Sequence, residues 1–231
     1  MMDQTNCILS GLPRREMQPL EPRLSKRLLE VGDIVHEEAE PLKFVYFPTS
    51  AVISLLATTP DEEMVEVAAV GSEGCVGYPA VLLKDVLPFR AVAQARGEVL
   101  RLPAQAFVSS VWAAPAAHQM IAKHQNLLIL QLTQSVLCAK VHSLQQRLCR
   151  WLLTLHDRTG SDKLDVTQQF LSELLNTSRP LLTATAGVLS NAGYILQHRG
   201  GITIIDVGEL ARLACPCYRI IGEALKTFRT C

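Results

Sequence analysis

Three stretches of the sequence hold residues whose types and spacing could do chemistry. The first is Asn176-Thr177-Ser178-Arg179, with Thr183 and Ala184 further along the same segment and His198-Arg199-Gly200-Gly201 beyond it. Cations and hydroxyls at the start of a helix and at the tip of a hairpin are the donors that a phosphate backbone and base edges accept. The second is Gly71-Ser72-Glu73-Gly74-Cys75-Val76-Gly77-Tyr78-Pro79, three glycines in seven residues. Glycines this dense let a backbone come close to an anion and aim N–H groups at it, and Arg90, at the start of a later strand, could neutralise that anion. The competing reading is a glycine-rich corner that only turns the chain. The third is Cys215-Pro216-Cys217. Zinc takes four ligands at spacings such as C-x2-C or H-x3-H, and no second pair is evident, so no metal is expected there.

These residues need elements to position them. In Leu164 to Ile205, Phe170, Leu171, Leu174 and Leu175 form an apolar stripe of a short helix that Asp165 or Thr167 can cap. Asn176 then sits where the chain turns sharply, and it tolerates the left-handed conformation. A second helix starts at once. Thr177 or Ser178 can cap it, Pro180 fits its first turn, Leu182, Ala186 and Leu189 form its buried face, and Gly193 ends it. Arg179, Thr183 and Ala184 then face outward. Two helices joined this way form a helix-turn-helix, whose second helix can enter the DNA major groove; the alternative is a helical hairpin that only packs a core. Ile195 to Ile205 reads as strand, glycine turn and strand, a wing whose tip residues His198 and Arg199 would lie near phosphates.

Upstream, Lys26 to Leu102 is a series of short apolar runs, RLLEV, FVYF, AVISLL, MVEVAAV, RAVAQA and EVLRL, separated by turn residues. Such spacing argues for an antiparallel roll. The first 25 residues or so, with Pro13, Pro19 and Pro22, have room for one or two short helices at most. From Pro115 to about His142 the sequence is strongly helical. Met120, Leu127, Leu130, Gln134, Leu137 and Val141 fall on a seam of seven-, three- and four-residue steps. A helix this long suits a parallel partner helix in a second subunit, with Gln134 facing its symmetry mate; the alternative is a core helix within one subunit. Gln145 to His156 reads as another amphipathic helix, and Val207 to Leu213 and the stretch to Phe228 as two more.

Composition sets limits. The 231 residues are 48% hydrophobic and 19% charged, with 22 basic against 22 acidic residues. Net charge therefore gives no hint of a polyanionic partner, but Ser143 to Cys231 has 10 basic and 7 acidic residues, a difference of +3, against 12 and 15 before it. No apolar run suits a bilayer span and MMDQTNCILSGLPRRE lacks a secretory pattern, so a cytoplasmic protein without a membrane partner is expected. Seven scattered cysteines are expected to be reduced thiols. An enzyme on a metal-binding roll would need clustered histidines and carboxylates; between Lys26 and Leu102 His36 is the only histidine, so no catalytic group is expected.

Roll, long helix and winged helix in this order resemble the cyclic-AMP receptor and fumarate-nitrate regulator (Crp/Fnr) family of bacterial transcription factors, over nearly the whole chain. The residues that carry the resemblance are Val70 to Gly74, the run Arg150 to Arg158 (RWLLTLHDR), Thr167-Gln168-Gln169-Phe170-Leu171 and the tail Cys215-x-Cys217-Tyr218. The resemblance implies an α+β fold with a roll sensor at 1–114, a dimerisation helix at 115–143 and a winged-helix DNA-binding domain at 144–231. It implies a homodimer on double-stranded DNA with a two-fold symmetric site, half-sites about one helical turn apart, and contact with RNA polymerase.

For DNA contact it points to Gln168, Thr177, Ser178, Arg179, Leu181, Thr183, His198 and Arg199. In the family an Arg at the position of Arg179 reads guanine O6 and N7. Pro180 and Ala184 depart from the acidic residue and second Arg common there, leaving Leu181 and Thr183 to contact thymine methyls. For an effector it points to Gly71, Glu73, Gly74, Gly77 and Arg90. The family's cyclic-nucleotide pattern is broken, since Gly77 is followed by Tyr78-Pro79 and Arg90 by Ala91-Val92. The effector is thus unidentified, with cyclic AMP or cyclic GMP as the alternative. Cys7 alone does not make an N-terminal iron-sulfur cluster, and His36, His118 and His124 read as surface or helix histidines rather than haem ligands.

Overall fold

The structure is a computed structural model and describes residues 6–61, 63–78, 87–111 and 114–229. Glu62, among the turn residues between the AVISLL and MVEVAAV runs, and Pro79, at the end of the glycine-rich stretch, lie outside the described residues.

The described chain opens with two short helices, α1 (Cys7–Ser10) and α2 (Arg14–Met17). Asn6 caps the first through its side-chain oxygen while its amide donates to the carbonyls of Pro48 and Gly74, fastening the lead-in to the roll. Seven strands follow among the described residues: β1 (Ser25–Leu29), β2 (Ile34–His36), β3 (Phe44–Pro48), β4 (Val52–Thr58), β5 (Met64–Val70), β6 (Arg90–Ala95) and β7 (Gly97–Pro103). They make two antiparallel sheets, β1-β7-β3 and β2-β6-β4-β5. Both are rich in valine, isoleucine and leucine, which pack well on a pleated surface. Leu29, Val45, Phe47, Ile53, Val70, Ala93, Val99 and Leu102 are buried on their faces. Gly97 is obligatory where it stands, because a Cβ there would meet the backbone of Ser50 and Ala51. The sequence pattern found six of the strands and missed β2, which is only three residues long and shifts register against β6.

Helix α3 (Ala104–Val111) leads to α4 (Pro115–Val141), a single helix of 27 residues. Ser143 then caps α5 (Leu144–Thr159) in a full capping box with Gln146, so that only His142 and Ser143 separate the two helices. Gly160 closes α5 in the left-handed conformation. After it come β8 (Lys163–Leu164), α6 (Gln168–Leu174), α7 (Arg179–Asn191), β9 (Ile195–His198), β10 (Gly201–Ile204), α8 (Val207–Leu213) and α9 (Cys217–Arg229). The strands form a small sheet in the order β8-β10-β9. Among the described residues no helix is long and apolar enough to cross a membrane.

The cores are shared across the chain. One joins Val52, Leu56, Ala69 and Val92 of the roll to Trp151 and Leu152 of α5 and to Leu171, Leu182 and Leu189 of the helix-turn-helix. Another joins α1, Phe47, Phe107, Met120 and Leu127 to Ile221, Leu225 and Phe228 of α9, which folds back onto α4. The seam expected for a partner helix is therefore corrected in part. Met120 and Leu127 are spent inside the protomer, because α4 turns its Ala117, Ile121, His124 and Gln131 face to the roll. Leu130 and Gln134 lie on the flank, and Gln134 Oε1 is buried without a hydrogen-bond partner among the described residues. Leu137 and Val141 are exposed, together with Ile129, Leu132 and Val136, which the seam did not include.

Candidate nucleic-acid interface

Thr167 caps α6 by accepting from the Phe170 N–H at 3.1 Å. Asn176 turns the chain with φ of 43°, and Ser178 occupies the N-cap position of α7. Leu182, Ala186 and Leu189 are buried, which leaves Ser178, Arg179, Leu181, Thr183 and Ala184 exposed on the other side of α7. Thr177 is half-buried and its N–H donates to the Ser172 carbonyl. The wing turns through Arg199 and Gly200, which has φ of 85°, so His198 and Arg199 stand exposed at its tip.

Gln168 braces this surface. Its amide donates to Gln197 Oε1 of β9 at 2.8 Å, and its Oε1 accepts from the Thr183 hydroxyl at 2.7 Å. The first turn of α6, the exposed side of α7 and the wing are thereby joined by one side chain. Gln197 is a part of this brace that the sequence did not reveal, because its partner is 29 residues away. Among the described residues the Arg179 guanidinium makes no hydrogen bond or ion pair. It lines a cleft of about 310 Å³ together with Gln169, Thr177 and, from the roll, Glu63 and Met64.

The residues expected to cradle an effector are engaged otherwise. Glu73 is buried and pairs with Arg158 of α5, at 3.0 Å from Oε1 to both Nε and Nη2. Glu73 also accepts from the Gly71 N–H, and Arg158 donates onward to the carbonyl of Ala69 and to Gln131. This corrects the expectation that Glu73 is offered to a ligand: its charge is satisfied by a cation 85 residues away. A Cβ on Gly71 would crowd Glu73 and Arg158, one on Gly74 would run into the His124 ring, and Gly77, with φ of 106°, lies against Leu42. The loop is glycine-rich because α4, α5 and the chain leading into β3 close on it. Arg90 instead pairs with Glu37 at 2.6 Å.

His124, read from the sequence as a surface or helix histidine, lies on α4 and is wholly buried under this loop. Its Nε2 lies 3.3 Å from the Cys75 nitrogen and 3.1 Å from the Cys75 oxygen. Burial lowers its pKa to about 4, against the opposing pull of Glu73. A separate cleft of about 290 Å³ opens on the roll between Arg27, His36, Glu37, Lys43 and Arg101.

Cys215 and Cys217 do have a second pair beside them. Cys138 and His142, at the end of α4, bring the four ligand atoms within 4.8 Å of one another. A search for a second C-x2-C motif does not find this pair. The usable signal was a Cys and a His four apart on one helical face.

Residues 26–111 match the family model of the cyclic nucleotide-binding domain, and residues 146–213 match that of the Crp-like helix-turn-helix domain. No curated protein matches the sequence. Solved structures resemble it closely in fold. A transcriptional regulator of the Crp/Fnr family from Eubacterium rectale superimposes with a TM-score of 0.70 at 14% identity, covering 89% of this chain and 96% of its own. One of the same family from Thermus thermophilus gives 0.68 at 20% identity, covering 82% and 98%. The c-di-GMP responsive global regulator CLP of Xanthomonas campestris gives 0.68 at 16%, covering 84% and 100%. With a cyclic nucleotide-binding type of roll ahead of a Crp-like helix-turn-helix on one chain, the protein belongs to the Crp/Fnr family of winged-helix transcriptional regulators.

Proposed function

We propose that this regulator acts in the cytoplasm as a homodimer on a two-fold symmetric DNA site, with half-sites about one helical turn apart, and adjusts transcription through contact with RNA polymerase. Ser178, Arg179, Leu181 and Thr183 enter the major groove. Arg179 donates to a guanine edge, Leu181 and Thr183 touch thymine methyls, and Thr177, Gln168, His198 and Arg199 meet the backbone around them. The observation that carries this reading is the exposed start of α7, braced to the wing through Gln168. The exposed apolar stripe Ile129, Leu132, Val136, Leu137 and Val141 on α4 supports pairing of two copies, since isolated monomers rarely show such a face to water.

Glu63 and Met64 stand across the cleft from Arg179, and a duplex does not fit between them. DNA binding therefore requires the helix-turn-helix to swing away from the roll. That gives the sensor its route to the DNA: an effector favouring the opened arrangement raises affinity. Gly71, Gly74, Gly77 and Arg90 remain the proposed effector contacts, and an effector reaches them by displacing Arg158, His124, Leu42 and Glu37, which hold or cover them in this arrangement. The match to the cyclic nucleotide-binding domain favours cyclic AMP or cyclic GMP as the second reading.

Selection of bound duplexes from a random pool, with and without candidate small molecules, tests the proposal. A palindromic consensus, affinity falling steeply with salt, and a solution mass twice 25.4 kDa are expected. An asymmetric consensus or a solution mass of one chain would overturn the dimeric reading. Calorimetric titration with the two cyclic nucleotides decides between the effector readings.

A further inference from the structure

We propose that Cys138, His142, Cys215 and Cys217 bind one zinc ion that ties the end of α4 to the C-terminal segment. Cys138 and His142 are one helical turn apart, and Cys215, between α8 and α9, is separated by Pro216 from Cys217, the first residue of α9. The sulfur of Cys138 is 3.4 Å from that of Cys215, and the sulfur of Cys217 is 3.7 Å from His142 Nδ1. In a tetrahedral zinc centre, with Zn–S about 2.3 Å and Zn–N about 2.0 Å, neighbouring ligand atoms are roughly 3.5 to 3.8 Å apart. Four atoms within 4.8 Å of one another thus need only small rotamer adjustments to close on the ion.

The chemistry of the set agrees with the geometry. Three thiols and an imidazole suit a tetrahedral, closed, structural zinc site. All three sulfurs are buried, and they gather three of the six described cysteines at one place. Three thiolates and a neutral imidazole around a divalent ion leave one net negative charge, and binding releases the thiol protons. Arg150 is placed to offset that charge: it acts electrostatically on all three cysteines, and its Nε is buried without a hydrogen-bond partner among the described residues. A Cys138–Cys215 disulfide is the competing use of the close sulfur pair, but it would leave Cys217 and His142 without a task. The ion would span the two residues, His142 and Ser143, at which the long helix hands over to the DNA-binding module.

The full chain, purified with reductant and without chelator, is to be assayed for metal by mass spectrometry and then loaded with cobalt(II). About one zinc per chain is expected, with the intense visible bands and thiolate charge-transfer absorption of tetrahedral cobalt. Cys138→Ser and Cys217→Ser should each lower zinc at least tenfold in stoichiometric competition with a chelator, while Cys7→Ser should retain it. Less than a tenth of an equivalent after incubation with zinc, the pale spectrum of octahedral cobalt, or zinc content unchanged by both substitutions would overturn the proposal. So would a Cys138–Cys215 disulfide in protein that takes up no zinc after reduction. If the serine variants do not fold, the cobalt spectrum of the unaltered chain decides.

Discussion

Arg158 and Arg179 lie 21 positions apart in the sequence and use the same guanidinium in opposite ways. The Arg158 side chain is 1% exposed, holds Glu73 and caps the Ala69 carbonyl, so its charge fastens α5 to the glycine loop. Arg179 stands at the start of α7 with no partner for its guanidinium among the described residues. A cation desolvated beside a carboxylate contributes to one conformation of the protein; a cation left in water keeps its donors for something that arrives later. The difference separates the part of the molecule that holds its modules together from the part that meets DNA.

The largest effect expected from breaking this comparison is on the buried side. Arg158→Met leaves Glu73 buried and uncompensated, and removal of one member of such a pair costs about 3–5 kcal/mol. A melting temperature lower by roughly 10 °C in calorimetry is the expected outcome; a change under about 2 °C would show that the pair does not hold the modules.

Next is acid. His124 is kept neutral in the folded chain with its pKa near 4, whereas the unfolded chain protonates near 6.5. Below 6.5 the unfolded state binds a proton that the folded state refuses, so stability is lost as pH falls from 6.5 to about 4, on the order of 3 kcal/mol in all. Denaturant melts across that window should lose this slope in His124→Gln.

On the outward side, Arg179→Ala should weaken binding to the selected duplex by about 1–3 kcal/mol and relax preference at one base pair, with the melting temperature unchanged. Electrophoretic titration reads the first and thermal melting the second. Unchanged affinity and preference would remove α7 from the DNA interface. Smallest is Thr167→Ala, which removes the cap of α6 and should cost about 1 kcal/mol in denaturant unfolding without altering base preference.

The two regions also differed in how far their residues could be read from order alone. In the helix-turn-helix, the stripe Leu182, Ala186, Leu189 and the turn at Asn176 are local signals, and the structure places them as the periodicity required. The wing was equally plain, because a glycine turn between apolar runs is decided within about ten residues. Only β8, two residues long, had no pattern to show. The glycine loop was another matter. Its density of glycine reports that something approaches closely, but not what; Arg158, His124 and Leu42 fill the space that a ligand was expected to take. Likewise, the period of α4 marked apolar positions without saying which neighbour covers them. Met120 and Leu127 met the roll and α9 rather than a second copy. Long-range partners, whether Glu73 with Arg158 or Cys138 with Cys215, leave no mark on spacing.

Only two residues join α4 to α5, and α5 runs 16 residues with Arg158 near its far end. At about 1.5 Å per residue α5 is a lever arm of roughly 24 Å, so a tilt of about 10° at its base sweeps the far end through about 4 Å. Such a displacement is more than a hydrogen-bonded ion pair can stretch across. Under the proposed opening, the Glu73–Arg158 contact would therefore be either made or lost, acting as a latch with two positions rather than a graded response.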